Sequence, residues 1–271
     1  MSVKLSATIV AYNNYRDITE ALMSLEKFTD SAIEKKIYIV DNGMTVSSES
    51  SIKEFKRFIA QYEDITYIDA GKNLGFGKGH NLVLPQLNSE YHAIVNPDIL
   101  FTEDAFKTII DYMDSHGNVG MCIPQIVDEQ GELQQVYRKE VTVPDMFIRM
   151  FCKKLFPKRV ADHTLQDQDY TKPFRVPFGQ GSFLVIKTAL FKELNGFDDA
   201  FFMYLEDADL CKRVNQVSNL IYLPDATVIH KWEQGSHKNM KLFKYHVKSM
   251  GHYFSKWGFT ERTRNRRKEI K

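Results

Sequence analysis

With 271 residues the chain is long enough to bury one large core, and 36 lysines and arginines against 35 aspartates and glutamates leave a net charge of +1, so folding needs no disulfide staples. Cys122, Cys152 and Cys211 are an odd number without a Cys-x-x-Cys pair, which argues against a disulfide framework or a zinc site and fits a reducing cytoplasm. The first 35 residues lack a signal-type apolar core, and no apolar run approaches the ~20 residues that span a bilayer, so a soluble or peripheral protein is expected.

Leu5 to Val10 is an apolar run closed by Ala11-Tyr12-Asn13-Asn14, and Asp17-Ile18-Thr19-Glu20 has capping-box spacing for a helix to about Phe28. Lys36 to Val40 forms a second strand ending in Asp41-Asn42-Gly43, followed by the amphipathic helix Ile52-Phe55-Phe58-Ile59-Tyr62. Ile65 to Ile68 is a third strand, and the loop Asn73-Leu74-Gly75-Phe76-Gly77-Lys78-Gly79-His80-Asn81 opens a helix to about Leu87. The fourth strand, Tyr91 to Val95, must stop at Asn96-Pro97, because proline cannot donate to a ladder, and so delivers Asp98 to its carboxyl end. Strands alternating with helices predict a doubly wound, mostly parallel α/β sheet with helices on both faces.

A helix over Thr102–Ser115 and a strand around Val119–Ile123 follow, and then the alternation breaks. Residues 124–176 are predicted to lie over the sheet as an insertion, with a turn at Asp128-Glu129-Gln130-Gly131 and a helix from Met146 to Phe156. Phe183–Ile186 resumes a buried strand, Thr188–Leu194 and Tyr204–Val217 are helices, and Leu220–Leu223 and Thr227–His230 are strands. These boundaries suggest a globular domain over 1–237, with a ligand-binding half (1–123) and a second half (124–237), followed by a helix and basic tail over 238–271.

Four strand ends present a polar group to one edge: Tyr12, Asp41, Asn73 in its glycine-rich loop, and Asp98. An aromatic face at the first can stack on a nucleobase, and a carboxylate at the second can accept its ring N–H. Gly75 would let backbone approach a phosphate or ribose, and Lys78 could lend positive charge, although the loop is neither Gly-x-Gly-x-x-Gly nor a Walker loop. Asp98 suits a divalent cation carrying a diphosphate, and His230 at the end of an apolar strand could be a second metal ligand. Glu206-Asp207-Ala208-Asp209 sits at the start of a helix after an aromatic run, where a carboxylate could deprotonate an acceptor hydroxyl.

Taken with Ile9-Val10-Ala11-Tyr12-Asn13, Ile39-Val40-Asp41-Asn42-Gly43, Gly179-Gln180-Gly181-Ser182-Phe183 and Gly196-Phe197-Asp198, these motifs resemble glycosyltransferase family 2, inverting nucleotide-sugar enzymes of the GT-A fold. The likeness is greatest to the bacterial rhamnosyltransferases. It implies Tyr12 and Asp41 at the nucleobase, Asn73 near the nucleoside sugar, and Gly75, Lys78 and Asn96 along the donor. It also implies Asp98 and His230 at Mg²⁺ or Mn²⁺, Asp207 as catalytic base, and Glu206, Gln180 and Gly181 at the acceptor. Asn96-Pro97-Asp98 stands where many members carry Asp-x-Asp, a departure that removes one charge.

The expected function is transfer of a deoxyhexose, L-rhamnose from dTDP-β-L-rhamnose, to a lipid-linked cell-surface glycan. A transferase for UDP-hexose or UDP-galactofuranose, a sugar nucleotidyltransferase and a non-catalytic membrane-docked binding protein are the alternatives. Residues 241–271 hold ten basic and two acidic residues. Phe243, Val247, Met250, Phe254 and Trp257 form one helical stripe opposite Lys241, Lys244, Lys248, His252 and Lys256. With Arg262, Arg264, Arg266, Arg267, Lys268 and Lys271 beyond it, this segment is expected to hold the enzyme on an anionic membrane at the inner face of the cell membrane, and nucleic acid is not expected as a partner.

Overall fold

The computed structural model describes residues 2–43, 47–231 and 240–259. The first half alternates as expected: β1 (Val3–Ala11), α1 (Tyr15–Phe28), β2 (Lys35–Asp41), α2 (Glu49–Ile59), β3 (Ile65–Asp69), α3 (Phe76–Asn81) and β4 (Ser89–Val95). α1 and α2 follow from apolar stripes, and α2 also has a local cap. α1 buries Ile18, Ala21, Leu22 and Leu25, and α2 buries Ile52, Phe55 and Ile59 after Ser48, whose hydroxyl accepts from Ser51 N–H at 3.2 Å. The capping box expected at Asp17 is not used. α1 starts two residues earlier, at Tyr15, because Asn13 takes a left-handed φ of 59° and the chain turns there. α3 is also shorter than expected, giving way to a single 3₁₀ turn over Leu84–Gln86 at Pro85.

Beyond β4 come β5 (Ile99–Phe101), α4 (Ala105–Ser115), β6 (Val119–Val127), β7 (Tyr137–Arg138), α5 (Val143–Phe147), α6 (Pro157–His163), β8 (Phe174–Arg175), β9 (Phe178–Gly179), β10 (Phe183–Lys187), α7 (Thr188–Glu193), α8 (Glu206–Val217), β11 (Asn219–His230) and α9 (Met240–Trp257). Among the described residues one large sheet runs β3-β2-β1-β4-β10-β6-β11-β5, with β8 on β11, and β7 and β9 form a small second sheet. β1, β2, β3 and β4 pair in parallel, and so do β6 and β11. β10 is inserted antiparallel between β4 and β6, with Phe183 opposite Val95. The sheet is therefore mixed, mostly parallel and helix-covered, as the α/β reading requires.

The second half departs in detail. The two short strands expected over 220–230 are one strand with a register shift between Leu223 and Thr227. α4 starts at Ala105, where Asp104 accepts from Lys107 N–H at 2.9 Å, leaving room for β5 before it. The helix expected from Met146 starts at Val143 and passes into a π-helix over Ile148–Cys152. The insertion owns no separate core: Val136, Tyr137, Val141, Met146 and Leu165 join the cluster that contains β1, β4 and β10. No described helix is long and apolar enough to cross a membrane.

α9 is anchored along its second half. Tyr253 and Phe254 are buried, and Trp257 Nε1–H donates to Asp209 Oδ1 at 2.8 Å. His252 and Lys256 face Asp198 at 3.2 and 2.7 Å, so they do not belong to a free lysine face. Phe243 and Val247, expected on the packed stripe, are 41% and 49% exposed. The basic residues from Arg262 to Lys271 lie outside the described residues.

Gly75 shows how tightly the site loop is held. Its φ is 85°, and a Cβ there would lie 2.0 Å from the carbonyl oxygen of Phe202. Gly75→Ala is expected to cost at least about 2 kcal/mol, or roughly 5 °C in Tm. Gly117, with nothing within 4 Å of a built Cβ, is the control, and Gly117→Ala should change stability by less than about 1 kcal/mol. Equal melting temperatures for the two variants in calorimetry would show that the loop yields.

Candidate active site

The carboxyl ends of β1, β2 and β4 bring their polar residues to one edge. Tyr12 follows β1 and is 49% exposed, leaving an aromatic face at the rim. Gly43, two residues after Asp41, packs on it so closely that a Cβ would meet Asn13 N at 2.6 Å and Tyr12 Cα at 3.0 Å. Asp41 itself is fully buried. Its Oδ1 accepts from Gly43 N–H at 2.7 Å, and its Oδ2 accepts from the hydroxyls of Tyr15 at 2.7 Å and Tyr67 at 2.6 Å. Burial, reinforced by that carboxylate, pushes the Tyr15 hydroxyl up to about 12 and the Tyr67 hydroxyl higher still, so both stay protonated donors. A carboxylate offers about four lone-pair positions, and three donors leave room for one more.

The glycine-rich loop lies over this edge. Asn42 Nδ2 donates to Gly75 O at 2.9 Å, Asn73 Oδ1 accepts from Gly75 N–H at 2.9 Å, and Phe76 N–H donates to Phe202 O at 3.1 Å. Lys78 is half-buried on α3. Asn81 has a structural part: its amide donates to Phe197 O at 2.8 Å and accepts from Phe197 N–H at 2.9 Å, clamping α3 to the segment before α8.

Asp98 and His230 lie together, with Oδ2 and Nε2 3.4 Å apart. Gln134 orients the imidazole: its Nε2 donates to His230 O at 2.7 Å, which turns its Oε1 to Nδ1 at 3.0 Å. Nδ1 therefore carries the proton in the neutral ring, and the Nε2 lone pair is directed at the carboxylate. A nitrogen and a carboxylate oxygen so aligned fit two adjacent ligands of a cation with metal–ligand distances of ~2.1 Å. Among the described residues no group of three or more His, Cys, Asp or Glu is arranged to hold a metal ion, so other ligands would have to complete the shell. Asn96, beside them, keeps a buried Oδ1 without a donor.

Asp207 stands in the first turn of α8. Its Oδ2 accepts from Gly181 N–H at 3.0 Å and its Oδ1 from Ala208 N–H at 2.8 Å. Burial pushes its carboxyl above the usual range, against the pull of these N–H groups and of Arg138. A Cβ on Gly181 would lie 3.1 Å from Asp207 Cβ, so the absence of a side chain there sets the approach. Asn96 N–H donates to Ser182 O at 2.8 Å. A continuous path thus runs from Asp207 through Gly181 and Ser182 to Asn96 and Asp98, and half-buried Gln180 precedes it, its N–H held by Val136 O at 3.1 Å.

Glu206, expected at the acceptor, is instead buried. It is 5% exposed, its Oε2 has no hydrogen-bond partner, and its Cβ lies 3.7 Å from the position of a Cβ on Gly77. Successive residues on a helix point about 100° apart, so only one of the pair can look into the cleft. Desolvation, then the charge of Asp207, pushes the Glu206 carboxyl well above the usual range. Asp209, in the same acidic run, is fully buried and bonds Arg213 Nε at 2.7 Å, Lys256 Nζ at 2.7 Å and Trp257 Nε1 at 2.8 Å.

Tyr15, Tyr67, Gln134 and Arg138 are site residues that sequence reasoning missed. Tyr15 and Tyr67 sit in ordinary amphipathic positions, and Gln134 lies 96 residues from the histidine it orients. Nothing in the linear pattern singles them out.

The family description Glycosyl transferase family 2 matches residues 6–194. Among curated proteins, the chain is 27% identical over 213 residues to rhamnosyltransferase WbbL of Escherichia coli (strain K12), covering 74% of this chain and 77% of that one. It is 24% identical over 244 residues to the N-acetylglucosaminyl-diphospho-decaprenol L-rhamnosyltransferase of Mycobacterium tuberculosis (strain ATCC 25618 / H37Rv), covering 85% and 76%. Among solved structures it superposes on GalNAc-T7 with UDP, GalNAc and Mn²⁺ at a TM-score of 0.66 and 15% identity, covering 88% of this chain and 45% of that one. It superposes on mannosyltransferase PcManGT from Pyrobaculum calidifontis with GDP-Man and Mn²⁺ at 0.63 and 15%, covering 94% and 65%. The chain thus spans less than half of the first structure and under two thirds of the second, and both establish the GT-A fold alone.

The raised Glu206 pKa has a consequence for stability. Unfolded, this carboxyl titrates near about 4.3. Folded, it keeps its proton well above that, so between the two values the native state binds more protons and stability falls as pH rises. Glu206→Gln removes this slope. The Tm of the variant relative to wild type should rise between pH 4.5 and pH 8, roughly, and a constant difference across that range would mean Glu206 is ionised in the fold.

Proposed function

This chain belongs to glycosyl transferase family 2, and from that premise we propose that it transfers L-rhamnose from dTDP-β-L-rhamnose, with inversion, to a hydroxyl of a lipid-linked glycan precursor. The names of two relatives support the sugar, and that of the mycobacterial enzyme supports an acceptor on a polyprenyl diphosphate. The reaction would take place at the inner face of the cell membrane, with residues 1–123 binding the donor and 124–237 the acceptor.

The observation that carries this reading is the Asp207 carboxylate, fixed by Gly181 and Ala208 N–H groups and joined through Ser182 to Asn96 and Asp98. Its raised pKa brings it nearer the operating pH, where a general base is most effective. As the acceptor oxygen bonds to the anomeric carbon, its proton passes to Asp207. The carbon–oxygen bond to the diphosphate breaks and the electron pair leaves with the diphosphate. Tyr12 stacks on the thymine, Asp41 accepts its ring N–H at the remaining lone-pair position, and Asn73, Gly75, Lys78 and Asn96 line the sugar and phosphates. Gln180 and Gly181 border the acceptor, and Glu206 supports Asp207 from beneath. Asp98 and His230 would hold Mg²⁺ or Mn²⁺, which when bound neutralises charge on the diphosphate.

Asp207→Asn should lower turnover by roughly 100-fold or more while dTDP-rhamnose affinity, measured by calorimetry, stays within about threefold. Equal losses in both would remove Asp207 from the role of base. Thermal shift against dTDP-, UDP- and GDP-sugars should favour dTDP-rhamnose, and preference for a UDP-sugar would revise the donor.

A chelator should abolish transfer, and Asp98→Ala should weaken Mn²⁺-dependent donor binding by about tenfold or more, with His230→Ala weaker in the same direction. Full activity in the presence of excess chelator would mean that neither residue serves a metal.

A further inference from the structure

Four of the eleven exposed large apolar side chains among the described residues fall within ten positions of the insertion: Phe147 at 56%, Phe151 at 64%, Leu155 at 77% and Phe156 at 47%. The rings of Phe147 and Phe151 lie 5.2 Å apart, so the group forms a patch and not a scatter of single exposures. Met146 and Ile148, their neighbours on the same helical segment, are buried to 8%. One face of this short helix is thus anchored in the core while the other turns apolar tips to solvent.

The exposed charge on the patch is positive, while Asp145 at its base is paired with Arg159 at 2.7 Å. Between 147 and 160 stand Arg149, Lys153, Lys154, Lys158 and Arg159, and no acid. Lys153, Lys154 and Lys158 are exposed, and their stems can lie along the apolar surface while the ammonium groups reach outward. Apolar tips ringed by lysine suit an interface with hydrocarbon below and anionic headgroups above. A second copy of the chain fits poorly, because a two-fold contact would set this positive rim against itself.

Position strengthens the case. The insertion that carries Phe147 and Phe151 also carries β7, whose Tyr137 pairs with Gly179, and Val136 O accepts from Gln180 N–H at 3.1 Å, next to the Gly181 N–H that holds Asp207. The patch therefore belongs to the same insertion as the strand that abuts the Gln180–Gly181 loop at Asp207. Resting on the reading of the acceptor as lipid-linked, we infer that residues 147–158 are a membrane-docking surface that seats on an anionic bilayer and presents the Asp207 cleft to acceptors held there. This places docking on the insertion, whereas the sequence had pointed to the C-terminal helix and tail.

The test uses the full chain and sedimentation with vesicles of phosphatidylcholine, alone or mixed with phosphatidylglycerol. Wild type should pellet with the mixed vesicles, less so as salt rises, and little with the neutral ones. Phe151→Ser with Leu155→Ser should reduce vesicle affinity about tenfold. Because both side chains are exposed, its melting temperature should be unchanged. Lys153→Gln with Lys154→Gln should weaken binding to mixed vesicles only. Deletion of 261–271 should leave the dependence on Phe151 and Leu155 intact.

Full vesicle binding by the double serine variant, equal wild-type binding to neutral vesicles, or no wild-type binding at all would overturn the proposal. So would a wild-type dimer in solution that the serine variant loses, since the occupant would then be a second copy. Transfer to a soluble acceptor analogue is measured separately. Its loss in wild type would remove the proposed activity without affecting the vesicle result, and its retention in the serine variant alongside lost vesicle binding supports docking.

Discussion

The site depends on the antiparallel placement of β10 beside β4. Because the two strands run in opposite directions, the start of β10 lies next to the end of β4, with Phe183 opposite Val95. The three residues before β10 are then delivered to the three residues after β4. Ser182 O receives Asn96 N–H, and Gly181 N–H reaches Asp207. A parallel strand would have carried this loop to the far edge of the sheet, about 15 Å away for a five-residue strand. Asp98 and Asp207 belong to one site because of this single reversal.

Around that junction the buried carboxyl groups divide by what satisfies them. Asp41 takes three donors, from Gly43, Tyr15 and Tyr67, and Asp209 takes Arg213, Lys256 and Trp257. Each of these two carboxylates is thus answered by three donors. Glu206 has an Oε2 with no partner, and burial pushes its carboxyl well above the usual range. Asp207 falls between these cases, with two N–H donors, a raised pKa and partial exposure. Four acids with similar side chains thus have different chemistry, set by how completely the fold answers each charge.

Much of this was legible in the sequence, and the boundary follows the range of the signal. The strand ends at Tyr12, Asp41 and Asp98 could be read because apolar runs closed by polar residues or proline are local patterns. The direction of β10 could not, since Phe183-Leu184-Val185-Ile186 carries no mark of direction. β5 was missed because three residues are too few for a period. Asp207 and Glu206 are adjacent in the chain, and only the phase of α8 separates one that borders the cleft from one sealed beneath Gly77. The stripe on α9 was recognised by its period, but Phe243 is exposed where Phe254 is buried, because the period cannot say how far along a helix the core extends.

α9 also answers why the acidic turn can be held in an unfavourable shape. Tyr204 and Leu205 have φ values of 71° and 65°, successive left-handed residues without glycine directly before Glu206 and Asp207. Such a pair costs on the order of 1–2 kcal/mol per residue and persists only where the surroundings fix it. The surroundings here come from the last helix. Tyr204 stacks on His246 with centroids 4.8 Å apart, Phe202 packs on Tyr245 at 4.4 Å, and Ser249 donates to Met203 O at 2.7 Å. Farther along, Trp257 and Lys256 hold Asp209, one helical turn from the strained pair. The helix read from sequence as a membrane anchor therefore does its visible work inward, bracing the turn that launches Asp207. Met240, Phe243 and Val247, on the first half of this helix, stay exposed beside that turn.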